Sequence, residues 1–344
     1  MAYYYDNVKL DKGMYRESGR SFTQVLERED PSERYKGTSL EGLDAFQRQL
    51  KRFDIRVKGT DSSVVDEFFQ TSDASVLFPE YISRTVRQGM EEGDILPQIT
   101  AAITTINGLN YHSIASETSG KEKELKDVKE GDAIPETTIK VRDTEVKLKK
   151  RGRMLVATYE AIRFQKLDLF SVALRQIGAH IARIHLKDAV EVLTSEDEKA
   201  TDAETEKVSR TTTLDPDFTY GDLVGFWAKF DPYTMNTLLV SDEVMLKLLN
   251  MAEFKNPLTG LNFQGTGQLI TPLGAALLRT SVLDANTAVG LDKRFALEMV
   301  QSGGVMVEYD KLIDRQLERA AITTITGFAK VFPEASRMLE LKKE

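Results

Sequence analysis

The chain has 344 residues, of which 41% are hydrophobic and 29% charged, with a net charge of −8 and no cysteine. That length suits one large or two medium domains with a sizeable core, and so ordinary a mixture excludes global disorder. The missing cysteines remove disulfides, thiolate metal sites and cysteine nucleophiles together, and an acidic balance with basic residues interleaved among acidic ones excludes nucleic-acid gripping as the main task.

No apolar run approaches the roughly 20 residues that a membrane-spanning helix needs. The start, "MAYYYDNVKLDKG", lacks the charged, apolar and small-residue regions of a signal peptide. A soluble cytoplasmic product is therefore expected.

In chain order, residues 1 to about 41 are polar and tyrosine-bearing with no sustained period, which reads as an arm. "LDAFQRQLKRF" then places Leu43, Phe46, Leu50 and Phe53 on one stripe of a short helix that needs a surface from elsewhere, its own chain or a neighbour. "VVDEFFQTSDASVLFPEYISRTVRQGMEEG" supplies an aromatic anchor followed by a helix expected to begin near Pro79 and stop near Gly93. Between Ile99 and Ile114, β-branched runs broken by "NGLN" predict a hairpin.

From Glu117 to Arg153 the composition turns to charge, with Gly120, Gly131 and Pro135 as turning points. This reads as a two-limbed excursion from the body. Strands on a domain core alternate apolar and polar cleanly, and "TTIKVRDTEVKLKKRGR" does not. Two such limbs pairing only with each other are marginal in water and stay mobile until something covers them.

The strongest helix follows. Phe170, Leu174, Ile177, Ile181 and Ile184 recur at steps of three and four behind an expected N-cap at Asp168. If it runs to Leu193 it is roughly 39 Å long, a spine for something elongated. "TSEDEKATDAETEKVSRTTTLDPD" reads as a solvated linker or surface loop. Beyond it, "TYGDLVGFWAKF" and "DEVMLKLLNMAEF" read as helices, and "NTLLVS", "GAALLRT" and "FALEMV" as strands of a separate α+β block of roughly 90 residues. "LERAAITTITGFAKVF" and "SRMLEL" read as strands that return to the first domain.

Catalytic signals are absent. His180 and His185 are five apart, roughly 140° around a helix, and cannot grip one metal from one face. His180 falls on the polar stripe and His112 stands alone. "GLNFQGTG" at 260–267 has glycine spacing but lacks the Lys and Ser/Thr of a phosphate-binding loop, and reads as a mobile loop. No nucleophile elbow or zinc-binding helix motif occurs, and no cofactor is expected.

The order of parts, together with "FFQTSDASVLFPEYISRTVRQGMEE", "EGDAIPETTIKVRDTEVKLKKRGRMLVATYEAI" and "AVGLDKRFALEMVQSGGVMVEYD", resembles the major capsid proteins of tailed bacteriophages, an α+β Hong Kong 97-like fold. The resemblance runs from about residue 60 to the end. It implies an N-terminal arm at 1–75, the start of a P-domain at 76–114, an extended E-loop at 115–153, a P-domain with spine helix at 154–215, an A-domain at 216–308 and closing P-domain strands at 309–344.

It further implies a non-enzymatic subunit that assembles with itself, as hexamers and pentamers, into an icosahedral virion shell around double-stranded DNA bound without sequence specificity. Portal and scaffolding proteins are the implied partners, the host cytoplasm the site of synthesis, and no membrane is involved. Intersubunit contacts are expected at Lys123, Lys126, Arg142, Glu145, Lys147, Lys149 and Arg151 of the excursion and at Phe46 and Phe53 of the arm. Some members of the family join a Lys to an Asn of a neighbour. From Gln301 onward this chain has no Asn, so a non-covalent shell is expected. Two other readings stay open: an encapsulin-type nanocompartment shell, and a two-domain cytosolic enzyme whose charged excursion is a lid.

Overall fold

The computed structural model describes residues 4–17, 20–116, 127–128, 130, 139–141, 145–194, 204–210, 218–256 and 269–343. Its helices are α1 (Phe22–Glu29), α2 (Ala45–Arg52), α3 (Ser72–Glu92), α4 (Tyr159–Phe164), α5 (Leu167–Thr194), α6 (Tyr220–Ala228), α7 (Asp242–Asn250) and α8 (Ala252–Lys255). Its strands are β1 (Ala102–Ile106), β2 (Ile114–Ser116), β3 (Ile139–Val141), β4 (Lys149–Thr158), β5 (Glu204–Arg210), β6 (Thr237–Val240), β7 (Ala276–Arg279), β8 (Thr287–Leu291), β9 (Leu297–Ser302), β10 (Met306–Leu312), β11 (Leu317–Lys330) and β12 (Ser336–Lys343). The chain divides into two compact units, the first made of residues 1–94, 150–182 and 303–325, the second of 95–149, 183–302 and 326–344.

In the first unit one core joins Phe22 and Leu26 of α1, Phe46 and Leu50 of α2, Phe78 and Ile82 of α3, Leu174 of α5 and Ile322 of β11. The expected free arm is therefore folded. Ser21 and Asp44 close capping boxes on α1 and α2, satisfying end groups that short helices otherwise leave to water. Burial of their apolar stripes against α3 then holds the two helices in place. β10 and the first half of β11 pair antiparallel from Met306↔Thr323 to Leu312↔Leu317, and β4 pairs with β11. Leu155, Ala157, Val307, Tyr309, Ala320 and Ile322 turn to the core.

Helix α3 begins seven residues before Pro79, not at it. Thr71 caps it by accepting from the Ala74 N–H. A proline in a helix interior removes one backbone bond and pushes away a carbonyl, and here the opened turn is bridged from outside. The Tyr15 hydroxyl donates to the Val76 carbonyl at 2.7 Å and accepts from the Glu80 N–H at 3.0 Å, standing between two groups that a regular helix would join directly. Burial and the Glu80 carboxylate push the ionisation of this hydroxyl far up, so it stays protonated and able to donate. Tyr15→Phe keeps the ring stacked on Phe22 (4.3 Å between centroids) but strands both backbone groups. The expected loss is about 1–3 kcal/mol of first-unit stability, read as a lower urea midpoint by far-ultraviolet circular dichroism.

In the second unit the sheet order is β5-β12-β8-β6-β7. Leu223 and Phe226 of α6, with Val244 and Leu248 of α7, pack on Leu238, Leu277, Leu339 and Leu341. Gly290 of β8 is required by this packing: a Cβ there would lie 2.7 Å from Phe226 and 2.8 Å from Phe230. Separately, β1 runs parallel to β9, and β9 antiparallel to the second half of β11.

Several expectations change here. β1 forms no hairpin across "NGLN"; it finds β9 nearly 200 residues away, while Ile114 pairs with Val141 instead. β12 does not return to the first unit. It lies between β8 and β5, because its Leu339 and Leu341 complete the core beneath α6. Part of the expected linker is strand β5, paired with β12, and the helix read over "DEVMLKLLNMAEF" is two, α7 and α8, broken at Met251. The spine reading matches α5 closely; its length is about 42 Å at 1.5 Å per residue.

Candidate assembly surfaces

The described segments on either side of the expected charged excursion lie beside one carboxylate of the second unit. Strands β2 and β3 pair antiparallel over Ile114↔Val141, Ala115↔Lys140 and Ser116↔Ile139, so the two expected limbs start side by side. Just before them, buried Glu298 of β9 accepts from Thr104 Oγ1 at 2.6 Å, Tyr111 Oη at 2.7 Å and Ser113 Oγ at 2.5 Å. A carboxylate taken out of water needs such donors. Here they come from β1 and from the segment that leads into β2, which pins the outgoing limb. The returning limb is held by the Val146 N–H donating to the Tyr111 carbonyl at 2.8 Å and by Val146 packing on Val300 and Ala329. Glu298→Gln replaces an acceptor oxygen with a donor. It should cost about 1.5–3 kcal/mol, the value of hydrogen bonds to a charged group, seen as faster amide exchange over residues 111–116.

The expected contact residues divide accordingly. Lys123, Lys126 and Arg142 lie outside the described residues, as does the 260–267 glycine loop. Glu145 and Lys147 are exposed and Arg151 is half-buried. Lys149 is engaged within its own unit, reaching Asp188 and Glu191 of α5 at 3.1 Å each. Desolvation lowers its pKa, yet the two carboxylates outweigh it and hold the ammonium above its ordinary value.

Phe46 requires correction as a contact residue. Phe46 is buried in the first unit's core, under the Arg84 guanidinium 4.3 Å from its ring centroid, and Phe53 packs against the same core. Their stripe found its surface in the same chain, so Phe46 has no face left for a neighbour.

Sequence reasoning passed over the apolar side chains that are open. In the first unit these include Met154, Val156, Phe164, Leu169, Val172, Met306 and Ile313; in the second, Leu109, Trp227 and Leu246. One signal was available: Leu169 and Val172 fall off the helical stripe that begins at Phe170. His180 is exposed and His185 buried. Among the described residues no group of three or more His, Asp or Glu could hold a metal, and no helix is long and apolar enough to cross a membrane.

The profile of the phage capsid protein family matches residues 141–330, more than half of the chain. No curated protein matches. Among solved structures, a virus-like particle from Pyrococcus furiosus is 13% identical, with 76% of this chain and 99% of that one covered at a TM-score of 0.54. The capsid of a native GTA particle is 12% identical, with 75% and 90% covered at 0.53. The capsid of cyanophage P-SCSP1u is 12% identical, with 73% and 89% covered at 0.50. At such identities these likenesses carry the fold alone, and that fold is the α+β Hong Kong 97-like one. The chain belongs to the phage capsid protein family, and its role is structural, that of a major capsid protein.

Proposed function

We propose that the chain closes, as hexamers and pentamers, into an icosahedral head around double-stranded DNA, and that its charged excursion lies across a neighbouring copy. The family match carries this reading. The paired roots of the excursion at β2 and β3 support it, since two strands paired only with each other gain little in water and much when a second surface covers them. Assembly is the whole activity, with no reaction to catalyse. Many contacts, each reversible, become jointly strong once symmetry closes the shell.

The wall encloses DNA without reading its sequence. A net charge of −8 keeps the packaged polymer from sticking. Portal and scaffolding proteins join the copies during assembly in the host cytoplasm. The shell is non-covalent, because the stretch from Gln301 onward offers no Asn as an electrophile.

Expression of the chain, alone and with the neighbouring genes of its source genome, followed by analytical ultracentrifugation and negative-stain microscopy, tests the reading. Closed shells, or rings of five and six, are expected. A species that stays monomeric under both conditions would overturn it, and particles filled with a cargo enzyme would move it to a nanocompartment. Denaturing electrophoresis of mature particles should show single chains and no ladder.

A further inference from the structure

Asn107–Gly108 is the chain's only Asn-Gly pair, and it opens the "NGLN" stretch whose turn signal the fold does not spend on a hairpin. The pair bends away from the end of β1 at Ile106, and both residues are exposed. Among the described residues neither the Asn107 side chain nor the Gly108 N–H has a hydrogen-bond partner. A Cβ added at Gly108 would meet nothing within 4 Å. The carboxamide and the backbone nitrogen that follows it are thus free to approach each other, and glycine puts no side chain in the way.

The other described asparagines lack these freedoms. Asn256 is followed by a proline, which has no N–H. After Asn7, Asn250 and Asn286 the next N–H is bonded to the Tyr5, Leu248 and Asp284 carbonyls. The Asn236 amide is held by Asp292 and by the Lys293 N–H. Asn110 precedes Tyr111, whose bulky side chain hinders attack by its own nitrogen and is fixed on Glu298.

We propose that Asn107 is a self-modification site, at which the Gly108 nitrogen attacks the Asn107 side chain and the amide is lost. The nitrogen gives up its proton as its new bond to Cγ forms. The Cγ–Nδ2 bond breaks, and ammonia leaves with that proton, closing a succinimide ring. Water then adds across one of the two imide C–N bonds. Opening at Cγ leaves aspartate on the normal backbone; opening at the main-chain carbonyl leaves isoaspartate, with the backbone running through Cγ. One water is consumed and one ammonia released, nothing is oxidised, and the chain gains one negative charge.

The surroundings accommodate the product. On one side of the loop β1 is held to β9 as far as Ile106↔Ser302, and on the other Tyr111 and Ser113 are held on Glu298. The extra backbone carbon of isoaspartate falls between these anchors, and neither has to move. The reaction needs only this loop and water, so it stands apart from the capsid reading. In a shell of many long-lived copies its marks accumulate with time.

The full chain is kept for weeks in neutral buffer made with heavy-oxygen water, and its peptides are read by mass spectrometry. Isoaspartyl methyltransferase with radiolabelled S-adenosylmethionine counts the isoaspartate. Heavy oxygen and methyl label are expected to concentrate in the peptide that carries Asn107, and isoelectric focusing should show a step towards acid. Gly108 is not among the glycines with left-handed backbone angles, so Gly108→Ala folds, and it should convert about tenfold more slowly. Asn107→Asp should keep the wild-type urea midpoint. A folded chain that keeps its Asn107 amide while the urea-unfolded chain loses it overturns the proposal. Equal conversion at the other asparagines, or a Gly108→Ala chain that converts at the wild-type rate, overturns it too. None of these outcomes touches the capsid reading, which particle formation decides.

Discussion

Gly178→Ala should lower the stability of the first unit by about 3 kcal/mol, the upper range for overpacking a tight contact. Helices α3 and α5 meet backbone to backbone where Gly89 faces Gly178. A methyl on Gly178 would overlap the Val86 carbonyl and come within 2.8 Å of the Met90 nitrogen, and one on Gly89 would overlap the Arg175 backbone. Rotamer changes cannot relieve a clash whose far side is main chain, so the helices must separate. Separation loosens Phe78, Ile82, Val86, Leu174 and Ile177, which share one core.

The helix-propensity gain of alanine, about 1 kcal/mol, runs the other way and is too small to win. Gly225→Ala supplies the contrast. Gly225 lies within α6 with nothing inside 4 Å of its added Cβ, so the same change there should stabilise the second unit by about 1 kcal/mol. Hydrogen exchange over α3 reports the first case. The fluorescence of Trp227, the chain's one tryptophan, reports the second. Equal effects at the two glycines would refute the close crossing.

Neither glycine announces itself in the sequence, because each sits in an otherwise regular helix and its reason lies on the other one. The same divide runs through the fold. The stripe Phe170, Leu174, Ile177 and Ile181 is periodic and predicts α5 to within a residue or two at each end. Pro79 misleads, since the hydroxyl that makes it tolerable belongs to Tyr15, more than sixty residues upstream. "NGLN" misleads because pairing with β9 decides where β1 goes, and turn propensity cannot outweigh a ladder of backbone bonds.

The surfaces divide similarly. The charge of the expected excursion is legible because charge on an alternating strand is itself abnormal. The exposure of Ile313 is not, because an isoleucine in a turn and one in a core are the same letter until the three-dimensional neighbours are known. Phe46 is the converse case, on an apolar stripe open in the sequence to its own chain or a neighbour, whose partner was the chain itself.

Arg48→Met should release the N-terminal helices, at a cost of about 3–5 kcal/mol, the measured scale for breaking one side of a buried ion pair. Arg48 and Asp30 are both fully buried. The guanidinium donates Nε to Asp30 Oδ2 at 2.7 Å, Nη2 to the Asp30 carbonyl, and Nη1 to Ser32 Oγ and the Leu43 carbonyl, while stacking 4.3 Å above the Tyr35 ring. Tyr35 donates to the other carboxylate oxygen at 2.6 Å and accepts from the Tyr5 N–H. Burial first, then the Asp30 carboxylate, pushes its hydroxyl up to about 12, so this donor persists through the physiological range. One arginine thus ties α1, the turn after it, α2 and the start of the chain. Without it the Asp30 carboxylate keeps a single hydroxyl donor in an apolar surrounding, and two backbone carbonyls lose their partner. Asp30→Leu alone should cost less, because the guanidinium keeps the Glu27 carboxylate at 3.8 Å. The double variant should cost clearly less than the sum, because no lone charge remains, although the orphaned carbonyls prevent full recovery. Amide exchange in α1 and α2 is the readout, expected to speed up about 100- to 4,000-fold in Arg48→Met and by less in Asp30→Leu, at roughly 1.4 kcal/mol per tenfold, with the Trp227 transition unmoved. Strict additivity in the double variant would show that the two residues act separately and that the N-terminal helices are held by their apolar stripes alone.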